Sequence, residues 1–298
     1  MTESTAAARA DEPSASSSKR SEQPAKRRRP WWQRVARVVV VIVALPTLGH
    51  FCVQGSASRE PPASTPPPGE PVAAADDPTR RDLGPAYARK RGAITEVRLV
   101  GDPVTVGTAH TRLLYDEQVA IERYMHDEFT HYVPLAPARM LLVDMARLRF
   151  RSLDEALSLR YRQEIAAQAA AFEPDPFTSL MDTYQRMVFL HSLYDIMLSF
   201  ERSPLVGCTS FVVDGHATVD GHTLVGRNFD FEGPQILDDK KAVFLMREED
   251  RIPYASVSWP GFVGAASGMN IEGVAIVIHG ARAGEANPNG EPVAETVR

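Results

Sequence analysis

Cys208 stands in the run Gly207-Cys208-Thr209-Ser210, and Arg227-Asn228-Phe229-Asp230 follows about twenty residues later. A thiol attacks a carbonyl as its thiolate, and an unperturbed cysteine titrates at about 8.5, so a nearby positive charge is needed at neutral pH. Arg227 carries such a charge, and Asp230 carries a carboxylate that can orient a protonated group. Between them lie two turn signals, Asp214-Gly215 and Asp220-Gly221, flanked by strand formers at Val206, Phe211, Val212 and Val213 and at Thr223–Arg227. This pattern predicts a hairpin that carries the nucleophile, the guanidinium and the carboxylate back together.

The strand offers Cys208 no neighbouring histidine, which leaves its own α-amine as a candidate base, released if the Gly207–Cys208 bond breaks. An α-amine titrates at about 7.7–8.0, close to working pH. Gly207, without a Cβ, leaves its carbonyl open to the thiol. Strict strand alternation puts Arg227 and Asp230 on opposite faces, so the site is expected to contain a bulge or a strand end between them. The plainer alternative is a packed, inert cysteine beside an arginine–aspartate salt bridge.

GCTSFVV followed by DGHTLVGRNFDFEG resembles the cysteine-type N-terminal nucleophile (Ntn) hydrolases, closest to the acyl-CoA:isopenicillin N acyltransferase-like autoproteolytic group. Acid ceramidase and conjugated bile salt hydrolase are more distant relatives. The resemblance covers roughly residues 84 to 298 and includes GMNIEGVAIV at Gly268–Val277. It implies an α+β fold, the Ntn αββα sandwich, preceded by a helical pro-segment that stays associated after cleavage as the α subunit of one precursor. It also implies Cys208 as nucleophile and base, Arg227 as electrostatic partner and Asp230 as the carboxylate that orients the new amine. Autocleavage would fall between Gly207 and Cys208. Substrates would be small acylated amides or amines, with no cofactor. Where such relatives place an oxyanion asparagine after the Gly-x-Asn-x-x-Gly motif, this chain has His279 and Gly280; Asn228, Asn270 and His279 are therefore the candidate oxyanion or substrate contacts. A second oxyanion asparagine would lie beyond Arg298, and residues 208–298 are expected to hold only the N-terminal part of the sandwich.

The remainder of the chain has to position these residues. Its 298 residues are 44% apolar and 24% charged, ordinary for a globular protein. Charge is uneven: residues 1–37 carry nine Lys/Arg against four Asp/Glu, and the remainder carries 24 against 34, for −5 overall. Residues 1–30 have little to bury and read as a disordered basic tail. Lys26–Arg29, Trp31-Trp32 and the apolar run Val35–Val53 follow in the order of a membrane segment with a cytoplasmic N-terminus, not of a nucleic-acid patch. Residues 31–53 thus read as an anchor or as a cleaved signal peptide, with the folded body outside the cytoplasm. Residues 54–83 are Pro-rich and read as a spacer.

Residues 84–207 read as mainly helical. Ala93–Val100 is strand-like; helices are expected over Leu113–His131 and Arg139–Arg149, another opening on a Ser152/Glu155 capping box, and a last one capped by Asp175-Pro176. After Cys208 strands are expected at Phe211–Val213, Thr223–Arg227, Ala242–Met246, Tyr254–Ser258 and Val274–Ile278. His216 and His222 read as solvated turn residues, His191 as a hydrogen-bonded core residue, and no metal site is expected. A reading from another class is a membrane-anchored, non-catalytic binding domain on the same scaffold.

Overall fold

The computed structural model describes residues 30–198, 206–231, 235–280 and 290–298, and the chain divides into two units, Met1–Leu48 and Gly49–Arg298. Helix α1 (Trp31–Val39), a π-helical stretch (Val40–Ala44) and α2 (Leu45–Ala57) form one run. At 27 residues, Trp31–Ala57 is long and apolar enough to cross a membrane, and its most apolar window has no buried residue. It extends four residues past the segment read from hydropathy. The tail expected to be disordered lies, Pro30 apart, outside the described residues.

The second unit is α+β, as expected. Strands β1 (Val72–Ala73), β2 (Arg80–Leu83), β3 (Ala86–Arg91) and β4 (Ile94–Gly101) form an antiparallel meander. Helices α3 (Pro103–Tyr132), α4 (Ala136–Arg149), α5 (Leu159–Ala171), α6 (Thr183–His191) and α7 (Leu193–Leu198) follow. Then come the hairpin β5 (Val206–Val213) and β6 (Leu224–Phe231), a short α8 (Gln235–Asp239), and β7 (Ala242–Glu248), β8 (Tyr254–Ser258), β9 (Ser267–Asn270) and β10 (Ala275–Val277), with α9 (Val293–Val297) last. The sheet order is β1-β2-β3-β4-β7-β8-β9-β10, parallel only between β4 and β7; β5 and β6 pair with each other in a separate two-stranded sheet.

Alternation explains one face of the large sheet. Ala86, Ala88, Val97, Leu99, Ala242, Phe244 and Met246 are buried together with Val106, Ala109, Leu113 and Leu114 of α3. A second cluster, including Tyr161, Ile165, Phe172, Tyr184 and Met187, packs α5 against α6. Gly107 allows α3 and α5 to approach closely, since a Cβ there would lie 2.3 Å from the Glu164 carbonyl oxygen. At the far end the buried Arg298 guanidinium joins Glu164 and Glu248, at 2.8 and 2.9 Å.

Several expectations are corrected. The spacer over 54–83 does not stand off the body: Ala57 is buried, and Arg112 donates to the carbonyls of Pro67 and Gly69 at 2.6 and 2.7 Å. A proline-rich run lacks N–H groups but keeps carbonyls, and one arginine satisfies two of them. Arg80–Leu83 then enters the sheet, so the ordered body starts before Gly84. Helix α3 begins ten residues before Leu113, because the Asp102 carboxylate accepts from the Val104 and Thr105 amides and Pro103 takes the first turn. The Ser152/Glu155 capping box does not form. Asp154 is buried among Arg59 and Arg162, which leaves a 3-10 turn at Leu153–Ala156. Asp175 caps no helix either; it accepts from the Phe177 amide, the Thr183 hydroxyl and Arg186, closing a turn ahead of α6.

His110 and His191 are buried. The Gly261 amide donates to His110 Nε2 at 3.0 Å, and Gln168 Nε2 lies 3.1 Å from His110 Nδ1. His191 Nδ1 donates to the Met187 carbonyl at 2.5 Å. Burial pushes the two imidazoles down to about 3 and about 4, with the Arg298 charge adding to the effect. Buried carboxyls such as Glu122 and Glu295 are raised by burial and act with the opposite sign. Each histidine is neutral when folded and protonated when unfolded between about pH 6.5 and 4, so its contribution is complete above that window and is lost as pH falls. Comparing the native chain with His191→Phe isolates one of them. In denaturant titrations their stability difference should shift by about 1.4 kcal/mol per pH unit across the window, the native chain losing more on acidification.

Candidate active site

The β5–β6 ladder runs in unbroken register from Val206↔Phe231 to Val213↔Leu224. The expected bulge is therefore not formed, and alternation separates two sets of side chains. Cys208, Ser210, Arg227 and Phe229 share one face; Thr209, Phe211, Asn228 and Asp230 share the other. Gly226 is required by close approach: the Phe211 ring lies across it, and a Cβ at 226 would meet that ring at 2.3 Å.

On the first face Arg227 Nη2 lies 3.6 Å from Cys208 Sγ and donates to the Ile278 carbonyl at 2.7 Å. Its guanidinium stacks over Phe229, 4.3 Å from the ring centroid. Ser210, directly across from Arg227, shares a 2.9 Å hydrogen bond with His279 Nε2. The half-buried thiol of Cys208 thus sits beside a fixed positive charge. Phe229 continues into an apolar cavity of about 110 Å³ whose walls include Leu190, Leu193, Trp259, Phe262 and Ile278. Trp259 is held in that wall by donating Nε1–H to the Leu237 carbonyl at 2.8 Å.

The other candidates fall elsewhere. Asp230 faces away from the thiol and accepts from the Asn228 carboxamide at 2.5 Å, so neither side chain shares the thiol's face. Asp230 is nonetheless paired across the ladder with Gly207, whose carbonyl belongs to the bond expected to be cleaved. Asn270 closes its own turn, accepting from the Glu272 and Val274 amides at 3.0 Å each, while Gly273 takes the positive φ of 84° that the turn requires. His279, the third candidate contact, does come to the site, through Ser210. His216 and His222 are exposed, and among the described residues no group of three or more His, Cys, Asp or Glu is placed to hold a metal ion.

Sequence reasoning missed Ser210 as the link to His279, and Phe229, Trp259 and the Ile278 carbonyl as surroundings of the thiol. Phe229 was legible by alternation, being two residues from Arg227. Nothing in the sequence marks Trp259 or a backbone oxygen.

No family model matches the chain. An alignment 104 residues long, which covers 31% of this chain, is 31% identical to an uncharacterized protein of Archaeoglobus fulgidus and spans 17% of that protein's length.

The guanidinium links the hairpin to the strand end at Ile278. A charge-assisted bond of this kind is worth about 1.5–3 kcal/mol. Arg227→Met should therefore speed amide exchange in Val206–Val213 and Leu224–Phe231 by about tenfold or more, with β3, β4 and β7 unchanged, as read by hydrogen-exchange mass spectrometry.

Proposed function

We propose that the protein is a membrane-tethered, self-processing thiol amidohydrolase or acyltransferase of the Ntn type, with Cys208 as its nucleophile. The observation that carries this reading is the Arg227 guanidinium set against the Cys208 thiol, across the ladder from Phe229, which lines an apolar cavity. The order Gly-Cys-Thr-Ser and Arg-Asn-x-Asp supports it, as does the ladder position of Asp230 opposite Gly207. The eight-stranded sheet and the separate hairpin are compatible with part of an αββα sandwich.

In maturation the thiol adds to the Gly207 carbonyl and the C–N bond breaks. Gly207 is then a thioester on sulfur, and the thiol proton has passed to the departing Cys208 amine. Water adds to the thioester, its hydroxyl completing the Gly207 carboxyl group and its remaining proton returning to sulfur. The new amine forms beside the ladder position of Asp230. A backbone amine is not confined to one face of the strand, so a carboxylate facing away from the thiol can still orient it. In turnover the same thiol attacks a substrate amide, the amine takes the thiol proton and passes it to the leaving amine, and water or an acceptor amine resolves the thioester. Arg227 stabilises the sulfur anion. The cavity beyond Phe229 offers an uncharged acyl chain apolar walls.

A conventional thiol–histidine pair is disfavoured, because His279 Nε2 is engaged by the Ser210 hydroxyl rather than by sulfur. Intact-mass measurement of the purified protein should show a fragment beginning at Cys208. Cys208→Ala should remain whole, and Asp230→Asn should process or turn over an acyl-amide about a hundredfold more slowly with unchanged thermal stability. An uncut native chain whose Asp230→Asn variant is merely less stable would instead identify a binding domain on this scaffold.

A further inference from the structure

Helix α4 is built inside out for a helix facing water. Its polar side chains Asp144 and Arg147 are buried, whereas Leu141, Leu142, Met145 and Leu148 are 60, 44, 57 and 43% exposed. These four recur at spacings of one, four and seven residues, which places them in one stripe. The inward polar groups pair with one another and with the backbone: Arg147 donates to Asp144 at 3.1 Å and to the Leu180 carbonyl at 2.5 Å. Just before α4 in the chain, Tyr132 at the end of α3 and Leu135 in the connection are 76 and 70% exposed. A contiguous apolar stripe of this kind on a folded body marks a contact surface.

We propose that this face of α4 lies in the lipid headgroup and upper acyl region of the membrane. Three observations select lipid over a protein partner. His50 Nδ1 lies 2.8 Å from the Asp144 carboxylate, so the apolar run Val35–Val53 ends on the inner side of this same helix. The proposal rests on the reading of that run as a membrane anchor. Charge is of the right sign, since inward Arg147 and Asp144 pair with each other while exposed Arg149 and Arg151 flank the stripe. The polarity is also that of an interfacial helix, with its apolar side chains toward the medium.

The test uses the full chain in phospholipid nanodiscs containing a phosphatidylcholine with an acyl-chain diazirine. After irradiation and trypsin digestion, carbene adducts are mapped by mass spectrometry. Adducts are expected on the peptide from Met140 to Arg147 and on Leu148, at about ten times the yield on Met269 and Ile271, which are comparably exposed but lie on a strand and a turn. Leu141→Glu with Leu142→Glu, both at exposed positions, should lower the α4 yield about tenfold. Adducts on residues 31–53 report separately on the anchor. The proposal is overturned if α4 is labelled no more than Met269 and Ile271. It is equally overturned if the Leu141→Glu, Leu142→Glu variant is labelled on α4 as strongly as the native chain.

Discussion

The parallel pairing of β4 with β7 is the constraint on which the molecule depends. Its register, from Thr95↔Ala242 to Gly101↔Glu248, joins two meanders into one sheet, and most of the helices and the whole Cys208 hairpin lie in the connection between these two strands. Parallel neighbours need a long crossover, and closing so large a loop is entropically unfavourable. What offsets it is the apolar burial on one face, where Val97 and Leu99 meet Phe244 and Met246 beneath α3. The hairpin is an excursion from that crossover. It pairs with no strand of the large sheet and is tied back through side chains, Arg227 to the Ile278 carbonyl and Ser210 to His279.

That arrangement gives Arg227 two tasks that one guanidinium can perform. Its planar fork has five donors, so contact with a carbonyl does not exhaust it, and its face can still stack on an aromatic ring. A lysine could supply the charge but neither the stacking on Phe229 nor the fixed orientation. The charge beside Cys208 is therefore rigid because it is also a structural tie. On the proposed function, removing it should alter hairpin stability and sulfur chemistry together, and the two effects separate only when amide exchange and processing are measured on the same variant.

Much of this was legible in the sequence where local chemistry decides structure. The hairpin followed from Asp-Gly turns between apolar runs, Tyr254–Ser258 was placed to the residue, and the buried His191 was expected on an apolar helix face. The errors fall where tertiary partners override local signals. Arg80–Leu83 and Ala86–Arg91 are too charged to read as strands, and they are held there by pairing and by ion pairs such as Arg89–Glu96 at 2.9 Å. Ser152 lost its capping role as the buried Asp154 paired with Arg59 and Arg162. At the candidate site, residue types pointed to the Cys208–Arg227 pair, but the faces depended on whether the strand bulged. Its regularity moved Asp230 and Asn228 away from the thiol.

The apolar interior connects these features further. Alongside α4 lies a cavity of about 290 Å³ bordered by exposed Leu142 and by Val143, Phe129 and Leu180 among others, and it shares Met125, Leu190 and Leu193 with the cavity that reaches Phe229. The one acidic side chain common to both, Glu122, is joined to Arg186 at 2.7 Å, and Arg186 also holds Asp175 at 2.8 Å. Burial raises the Glu122 carboxyl against the opposing pull of Arg186, and the pairing keeps either charge from standing alone in an apolar wall. The same residues thus border both the back of the apolar helix and the surroundings of the thiol. Packing of this kind sets apolar walls beside Phe229, the residue paired across the ladder with Cys208, provided α6 and α7 keep Leu190 and Leu193 in place. Their connection at Ser192, buried between the two helices, is thereby the point at which packing of the helical layer and access to Cys208 become one physical question.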